Sequence, residues 1–447
     1  MSRKLSPARK FGGTLTVPGD KSIAHRAALL SILSRGTIQI ANFPDGADCL
    51  TSLRAAQTLG VTLSESDGIM TLTPPASLSV SADTIVDCGN SGTTARLLSG
   101  IIAGSSMEVT LTGDASLSSR PMKRIIEPLT RMGGELFATD NKLPMRIRGR
   151  KLLPFDYHLP VASAQVKSCL LLAGLASSCS VTIREDVITR DHTERMLSAL
   201  GEGIAVRQPK GVMVVDPDDP RKKHIEKSES FANEVKLTSA AHINGGEINI
   251  PGDISTAAFF WAVGAISGKA VTVTNVGLNP TRTAILDHLK YIGCTVTIDN
   301  KRTISGEPRG DVTVEGQSLK ARKISGDTTV GLIDEIPIVA VMAAFAEGTT
   351  LIRNAEELKV KESDRLAAIA ENMTRMGAKC GLLEDGLAIE GRKDLTGADF
   401  TSHGDHRIAM AFSVASLFLV GPSTVDDADC VGISCAGFYD MLGQVAR

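Results

Sequence analysis

The sequence predicts an α/β protein of two domains built from six repeated units. Three observations carry this. The chain has 447 residues, too many for one hydrophobic core. A pair of residues, apolar then Gly, recurs six times along it. Two distant segments also open alike, with apolar-Pro-Gly-Asp and then an apolar helix.

The recurring pair occurs at Leu59-Gly60, Met132-Gly133, Leu200-Gly201, Ile292-Gly293, Met376-Gly377 and Leu442-Gly443. Each follows an amphipathic stretch; Leu366, Ile369, Met373 and Met376 have helical spacing. Gly after a helix supplies the left-handed stop. The first five are followed by strand-like residues, such as Val61-Thr62-Leu63 and Thr295-Val296-Thr297-Ile298. Even spacing over the whole length reads as an internal repeat, with three units in each half.

The paired openings are Val17-Pro18-Gly19-Asp20-Lys21-Ser22 and Ile250-Pro251-Gly252-Asp253-Ile254-Ser255. These turns are the expected crossing points between domains. The expected division is 1–20 with 252–447 in one domain and 21–251 in the other. Strand 14–17 then belongs to the second half only if the chain crosses twice.

Composition narrows the function. The chain is 43% hydrophobic and 22% charged, with a formal net charge of -2. That gives no general attraction to nucleic acid or to an anionic membrane. The first eleven residues are charged and contain no apolar signal core, and no apolar run approaches a membrane span. The eight cysteines contain no Cys-x-x-Cys pair, so free thiols in a cytoplasmic protein are expected. No His/Cys spacing suggests a metal site. A monomer is expected.

Basic residues cluster where polar loops enter helices. Lys21 and Arg26 precede Ala27-Ala28-Leu29-Leu30, and Gly89-Asn90-Ser91-Gly92 leads to Arg96. Arg120-Pro121 precedes another helix, Lys361 and Arg365 a further one, and His406-Arg407 the last. Cations at helix starts oppose the helix dipole, so their repetition points to anionic ligands. The loop 89–92 is neither a Walker motif nor a dinucleotide fingerprint. Two carboxylates accompany these cations. Glu362 adjoins Lys361, and Asp334 precedes the apolar run 338–345. Near a basic pocket they can serve as acid and base. Alternatively, Asp334 is an ordinary helix cap, and its neighbour Glu335 can be confused with it.

These segments resemble the 5-enolpyruvylshikimate-3-phosphate synthase family. The resemblance rests on Pro18-Gly19-Asp20-Lys21-Ser22-x-x-x-Arg26, Gly89-Asn90-x-Gly92-Thr93, Arg120-Pro121, Lys361-Glu362-Ser363-Asp364-Arg365 and Asp405-His406-Arg407. Ser163-Ala164-Gln165-Val166-Lys167-Ser168 and Arg190-Asp191-His192-Thr193 resemble the bacterial branch that includes glyphosate-tolerant enzymes. The resemblance implies a two-domain enolpyruvyl transferase fold of six βαβαββ units, with the active site in the cleft between domains.

It also implies a reaction. The enolpyruvyl group of phosphoenolpyruvate moves to the 5-hydroxyl of shikimate 3-phosphate and phosphate leaves, with no metal or cofactor. By resemblance, Asp334 is the base, Glu362 the proton donor and Lys21 a third catalytic residue. Lys21, Ser22, Arg26, Ser163, Gln165, Arg190, Asp334 and Lys361 hold shikimate 3-phosphate. Lys21, Gly92, Arg120, Gln165, Arg365 and Arg407 hold phosphoenolpyruvate, and glyphosate is the implied inhibitor. Cations on opposing domains are expected to repel until the anionic substrates arrive, which would drive closure.

Two departures stand out. Segment 432–438 lacks the Lys that many members carry there. Gly92 stands where several tolerant members carry Ala, which leaves the inhibitor response open. The sister transferase acting on UDP-N-acetylglucosamine shares the fold but typically carries a reactive Cys in the loop corresponding to 115–120. This loop has none. A non-catalytic anion-binding protein would be expected to lack Asp334 or Glu362.

Overall fold

The computed structural model describes residues 1–81, 83–209, 211–215, 223–227 and 230–447. One unit shows the repeating plan. Strand Thr84–Asp87 leads to helix Gly92–Ala103 and strand Glu108–Thr112. Helix Lys123–Arg131 and the hairpin strands Glu135–Ala138 and Met145–Arg148 complete it. The first two strands pair in parallel and the hairpin antiparallel, which gives a four-stranded βαβαββ sheet. Five four-stranded sheets and one three-stranded sheet occur among the described residues, beside a small two-stranded ribbon.

The units at the crossings exchange strands. Gly13–Thr16 pairs in parallel with Val271–Gly277, so the first residues of the chain complete a sheet of its second half. Gly246–Asn249 pairs in parallel with Ile38–Ala41 and completes a sheet of the first half. The turns that follow these strands meet. Asp20 N donates to Pro251 O at 2.8 Å and Asp253 N donates to Pro18 O at 2.8 Å. Two hydrophobic clusters flank this junction. One joins Leu15 and Val17 to residues from Ile254 to Ala446, and the other runs from Ile23 to Ile250.

Four of the six glycines end helices as the sequence suggests. Gly60, Gly133, Gly293 and Gly377 have φ of 95°, 94°, 106° and 85°, where a Cβ is disfavoured. The other two correct the expectation. Gly201 is extended at φ -160° and opens strand Gly201–Arg207 directly. Gly443 lies inside helix Phe438–Val445. The last unit has no hairpin after that helix; the N-terminal strand Arg3–Leu5 pairs antiparallel with Ser423–Val425 instead.

Helix starts explain how cations are tolerated there. Asp20, Ser91, Asp364 and Asp405 each accept a main-chain N–H of the first turn, so each basic cluster carries its own cap. Arg120 differs: it follows the short helix Ala115–Ser119 and precedes Lys123–Arg131. Helices Ile254–Ser267 and Ile336–Ala344 are apolar on nearly all sides and buried, so they hold the loops at their ends rigidly.

Candidate active site

The caps aim the cations at one region between the two hydrophobic clusters. Arg365, 1% exposed, is its centre. Its Nη2 donates to Glu362 Oε2 at 2.7 Å, its Nε to Asp405 Oδ2 at 2.8 Å, and its Nη1 lies 3.7 Å from Asp334 Oδ1. One guanidinium therefore joins the two candidate catalytic carboxylates. Arg407 donates to Asp334 O at 2.8 Å. Lys361 pairs with Glu357 at 3.0 Å.

The other half of the chain supplies opposing groups. Arg190 forms an ion pair with Asp334. Arg120 Nη1 lies 4.0 Å from Glu362 Oε1, and its Nη2 donates to Asn90 Oδ1 at 2.9 Å. Lys21 pairs with Asp48. The expected repulsion between cations of the opposing halves is thus reduced by the protein itself. Arg190 and Arg120 of one half face Asp334 and Glu362 of the other, so protein carboxylates neutralise the facing cations.

The remaining predicted residues line the first half. Gly92 starts helix Gly92–Ala103. A Cβ there would lie 2.7 Å from Arg96 Nη1 and 3.5 Å from Arg120 Nη1. Gln165 accepts from Arg96 at 2.8 Å and donates to Thr93 Oγ1 at 3.1 Å. Ser163 caps helix Ala164–Ser177. Arg26 donates to Thr193 Oγ1 at 2.7 Å, to Ser168 Oγ at 2.9 Å and to Ser22 O at 2.9 Å. Among the described residues no carboxylate forms an ion pair with it, and burial pushes its pKa down to about 10.

The two candidate catalytic carboxylates are strongly ionised. Burial opposes the charge of Asp334, but Arg190, Arg407, Lys361 and Arg365 outweigh it and hold its pKa well below the usual carboxylate range. Burial likewise opposes Glu362, and Arg365 with His406, Arg120 and Lys21 holds it well below that range. Lys21 is raised: burial disfavours its charge, but Asp48 and Glu362 more than compensate. Asp334 is not a helix cap. Glu335 occupies the cap position of Ile336–Ala344, and its side chain turns away to Ser255 and Arg282. Helix phase thus separates two neighbours that the sequence could confuse.

Asp48 escapes the sequence reading, and Asn90, Arg96 and Asp405 stand in its motifs without an assigned role. Asp48 neutralises Lys21, Asn90 orients Arg120, and Asp405 receives Arg365. Arg96, pushed down to about 10 by burial and by Arg120 and Arg124, backs Gly92. Its position four residues after Gly92, one helical turn on, was the available signal. Among the described residues no cluster of His, Cys, Asp or Glu could hold a metal ion, and no helix is long and apolar enough to cross a membrane.

Comparison with known proteins gives one consistent family. The family model described as EPSP synthase (3-phosphoshikimate 1-carboxyvinyltransferase) matches residues 5–227 and 222–442. The chain is similar to the 3-phosphoshikimate 1-carboxyvinyltransferase of Herpetosiphon aurantiacus, with 42% identity over 100% of this chain and 99% of that one. The same-named protein of Salinibacter ruber is 44% identical over 100% of both chains. A solved EPSP synthase from Acinetobacter baumannii superposes with a TM-score of 0.80 and 36% identity, covering 100% of this chain and 98% of that one.

Proposed function

This chain belongs to the EPSP synthase family, and from that premise we infer how its cleft divides the work. It transfers the enolpyruvyl group of phosphoenolpyruvate to the 5-hydroxyl of shikimate 3-phosphate and releases phosphate, a step of aromatic amino acid biosynthesis. The observation that carries the assignment is the buried Arg365, which binds Glu362 and approaches Asp334 within a ring of cations from both halves.

Asp334 takes the proton of the 5-hydroxyl as its oxygen attacks C2 of phosphoenolpyruvate. Glu362 protonates C3, which makes the methylene a methyl and C2 tetrahedral. Loss of a proton from that methyl and departure of phosphate then restore the double bond. Lys21, Arg120, Arg365 and Arg407, with Gln165 and the main chain at Gly92, hold phosphoenolpyruvate and the leaving phosphate. Lys21, Ser22, Arg26, Ser163, Gln165, Arg190, Asp334 and Lys361 hold shikimate 3-phosphate. The base and donor stand on the half formed by 1–20 and 252–447, and most shikimate 3-phosphate contacts on 21–251. A monomer suffices, since every named group comes from one chain. Glyphosate, an anion longer than phosphoenolpyruvate, competes for the same cations.

In the protein alone, Glu362 is ionised and cannot donate. Phosphoenolpyruvate competes for the cations that depress it, Arg365, Arg120 and Lys21. Substrate therefore raises the affinity of Glu362 for a proton and arms it as an acid. Release of phosphate from mixed shikimate 3-phosphate and phosphoenolpyruvate tests the activity directly. The assignment fails if no phosphate appears, or if it appears equally without shikimate 3-phosphate.

A further inference from the structure

A second charged cluster is buried beneath the cleft. Lys167, 0% exposed, is ion-paired to Glu185 at 2.8 Å and to Glu194 at 2.7 Å. The three stand on different elements: helix Ala164–Ser177, strand Val181–Glu185 and helix His192–Leu200. Glu185 also accepts from Asn233 Nδ2 at 2.8 Å, from Thr189 Oγ1 at 2.7 Å and from Thr189 N at 3.3 Å. Lys167 donates further to Thr189 O at 3.4 Å. Lys167 and Glu185 thus both also bond Thr189, the residue before Arg190.

The chain order around the cluster is informative. Lys167 precedes Ser168 and Glu194 follows Thr193, and these two hydroxyls hold Arg26. Ser168 and Thr193 also bond each other at 2.7 Å. Lys167, Glu194 and Thr189 therefore each stand one residue from a site cation or a ligand of one, and Glu185 joins them through Lys167 and Thr189. Desolvating three charges is costly and seldom worthwhile for stability alone. A buried network of this kind fixes geometry well because every member has few alternatives.

We propose that Lys167, Glu185 and Glu194 form a positioning unit that sets the places of Arg26 and Arg190 for shikimate 3-phosphate. The proposal rests on the reading of Arg26 and Arg190 as ligands of that substrate. Its members touch no substrate. They act through Thr189 on Arg190, and through Ser168 and Thr193 on Arg26.

The test uses small changes in the intact enzyme. Thr189→Val removes one hydroxyl and leaves the ion cluster whole; Glu185→Gln keeps its shape but removes its charge. Each raises the KM for shikimate 3-phosphate roughly tenfold, the scale of one charge-assisted contact misplaced, and the KM for phosphoenolpyruvate less than about twofold. Thr189→Ser restores the wild-type KM. An unchanged KM for shikimate 3-phosphate, an equal rise for both substrates, or failure of Thr189→Ser to restore it overturns the proposal. A fall in melting temperature without the selective KM effect also overturns it, because that is the mark of a purely structural cluster. Arg190→Gln separates the two levels. If it weakens shikimate 3-phosphate while Thr189→Val does not, the positioning unit is wrong and the ligand assignment stands. If Arg190→Gln has no effect, the ligand assignment itself is wrong, and the proposal falls with it.

Discussion

A Cβ on Gly92 would stand 2.7 Å from Arg96 Nη1, closer than real Cβ contacts come. The obstacle is the far end of a flexible side chain, so Arg96 moves rather than the backbone. Arg120 Nη1, at 3.5 Å, is the next atom met. Gly92→Ala therefore fills space beside two anion-facing guanidiniums. The inhibition constant for glyphosate is expected to rise more than the KM for phosphoenolpyruvate, because the longer anion meets the methyl first. Steady-state measurements on both proteins decide this, and an equal rise in the two constants refutes it.

Asp334→Asn removes the base but leaves an amide that can still accept from Arg190. Loss of general-base catalysis is expected to lower kcat by about 100- to 10,000-fold, with the shikimate 3-phosphate Kd changed only a few-fold. Turnover within tenfold of wild type would show that Asp334 is not the base. Glu335 is no substitute, since it is committed to Ser255 and Arg282.

Binding of phosphoenolpyruvate or glyphosate to the enzyme with shikimate 3-phosphate is expected to take up a proton. The reason is the recruitment of Arg365, Arg120 and Lys21 away from Glu362, whose pKa they depress. Calorimetric titrations in buffers of different ionisation enthalpy count that proton. Wild type should show uptake near neutral pH and Glu362→Gln should show less. Equal uptake in both proteins would locate the proton elsewhere.

Stability is expected to fall well before carboxylates protonate. His25, His288 and His406 are buried, and burial drives their pKa from 6.5 to about 3, 4 and 4. Depressed folded values mean that the unfolded chain binds protons first. Their contribution is whole above about pH 6.5 and drains away as pH falls toward 4, by up to about 1.4 kcal/mol per pH unit for each group. Asp334 and Glu362 are depressed in the same sense and add a second loss below their ordinary values of 3.8 and 4.5. Urea unfolding from pH 8 to 5 measures the first stage. A flat profile over that interval contradicts it, and His25→Gln should make the slope shallower.

The parts legible in the sequence are those written locally. Four glycine stops and the basic clusters at helix starts each depend on residues within one turn of one another. The failures have local causes too. Gly201 precedes a strand that starts at once, so no left-handed residue is needed. Gly443 has no hairpin to turn into. The partners of the cations were hidden because they are set by tertiary packing. Asp48 reaches Lys21 from 27 residues away and Asp405 reaches Arg365 from 40. The Lys167 cluster reads in sequence as two ordinary helix charges and a strand end. Its meaning appears only when three elements converge.

The exchange of strands at the crossings makes the beginning of the chain the last part to find its place. Gly13–Thr16 has no sheet neighbour until Val271–Thr274 has been synthesised, and Arg3–Leu5 has none until Ser423–Val425 has emerged. Sheet formation in the first half likewise waits for Gly246–Asn249 before its Ile38–Ala41 edge is closed. Such distant pairings close long loops and slow folding. On the ribosome, the nascent amino terminus is therefore a pair of open strand edges for most of the time of synthesis, available to any other chain that offers a strand. The same wiring makes each half dependent on the other: cutting the chain between its crossings leaves two fragments, each holding a strand that belongs to its partner.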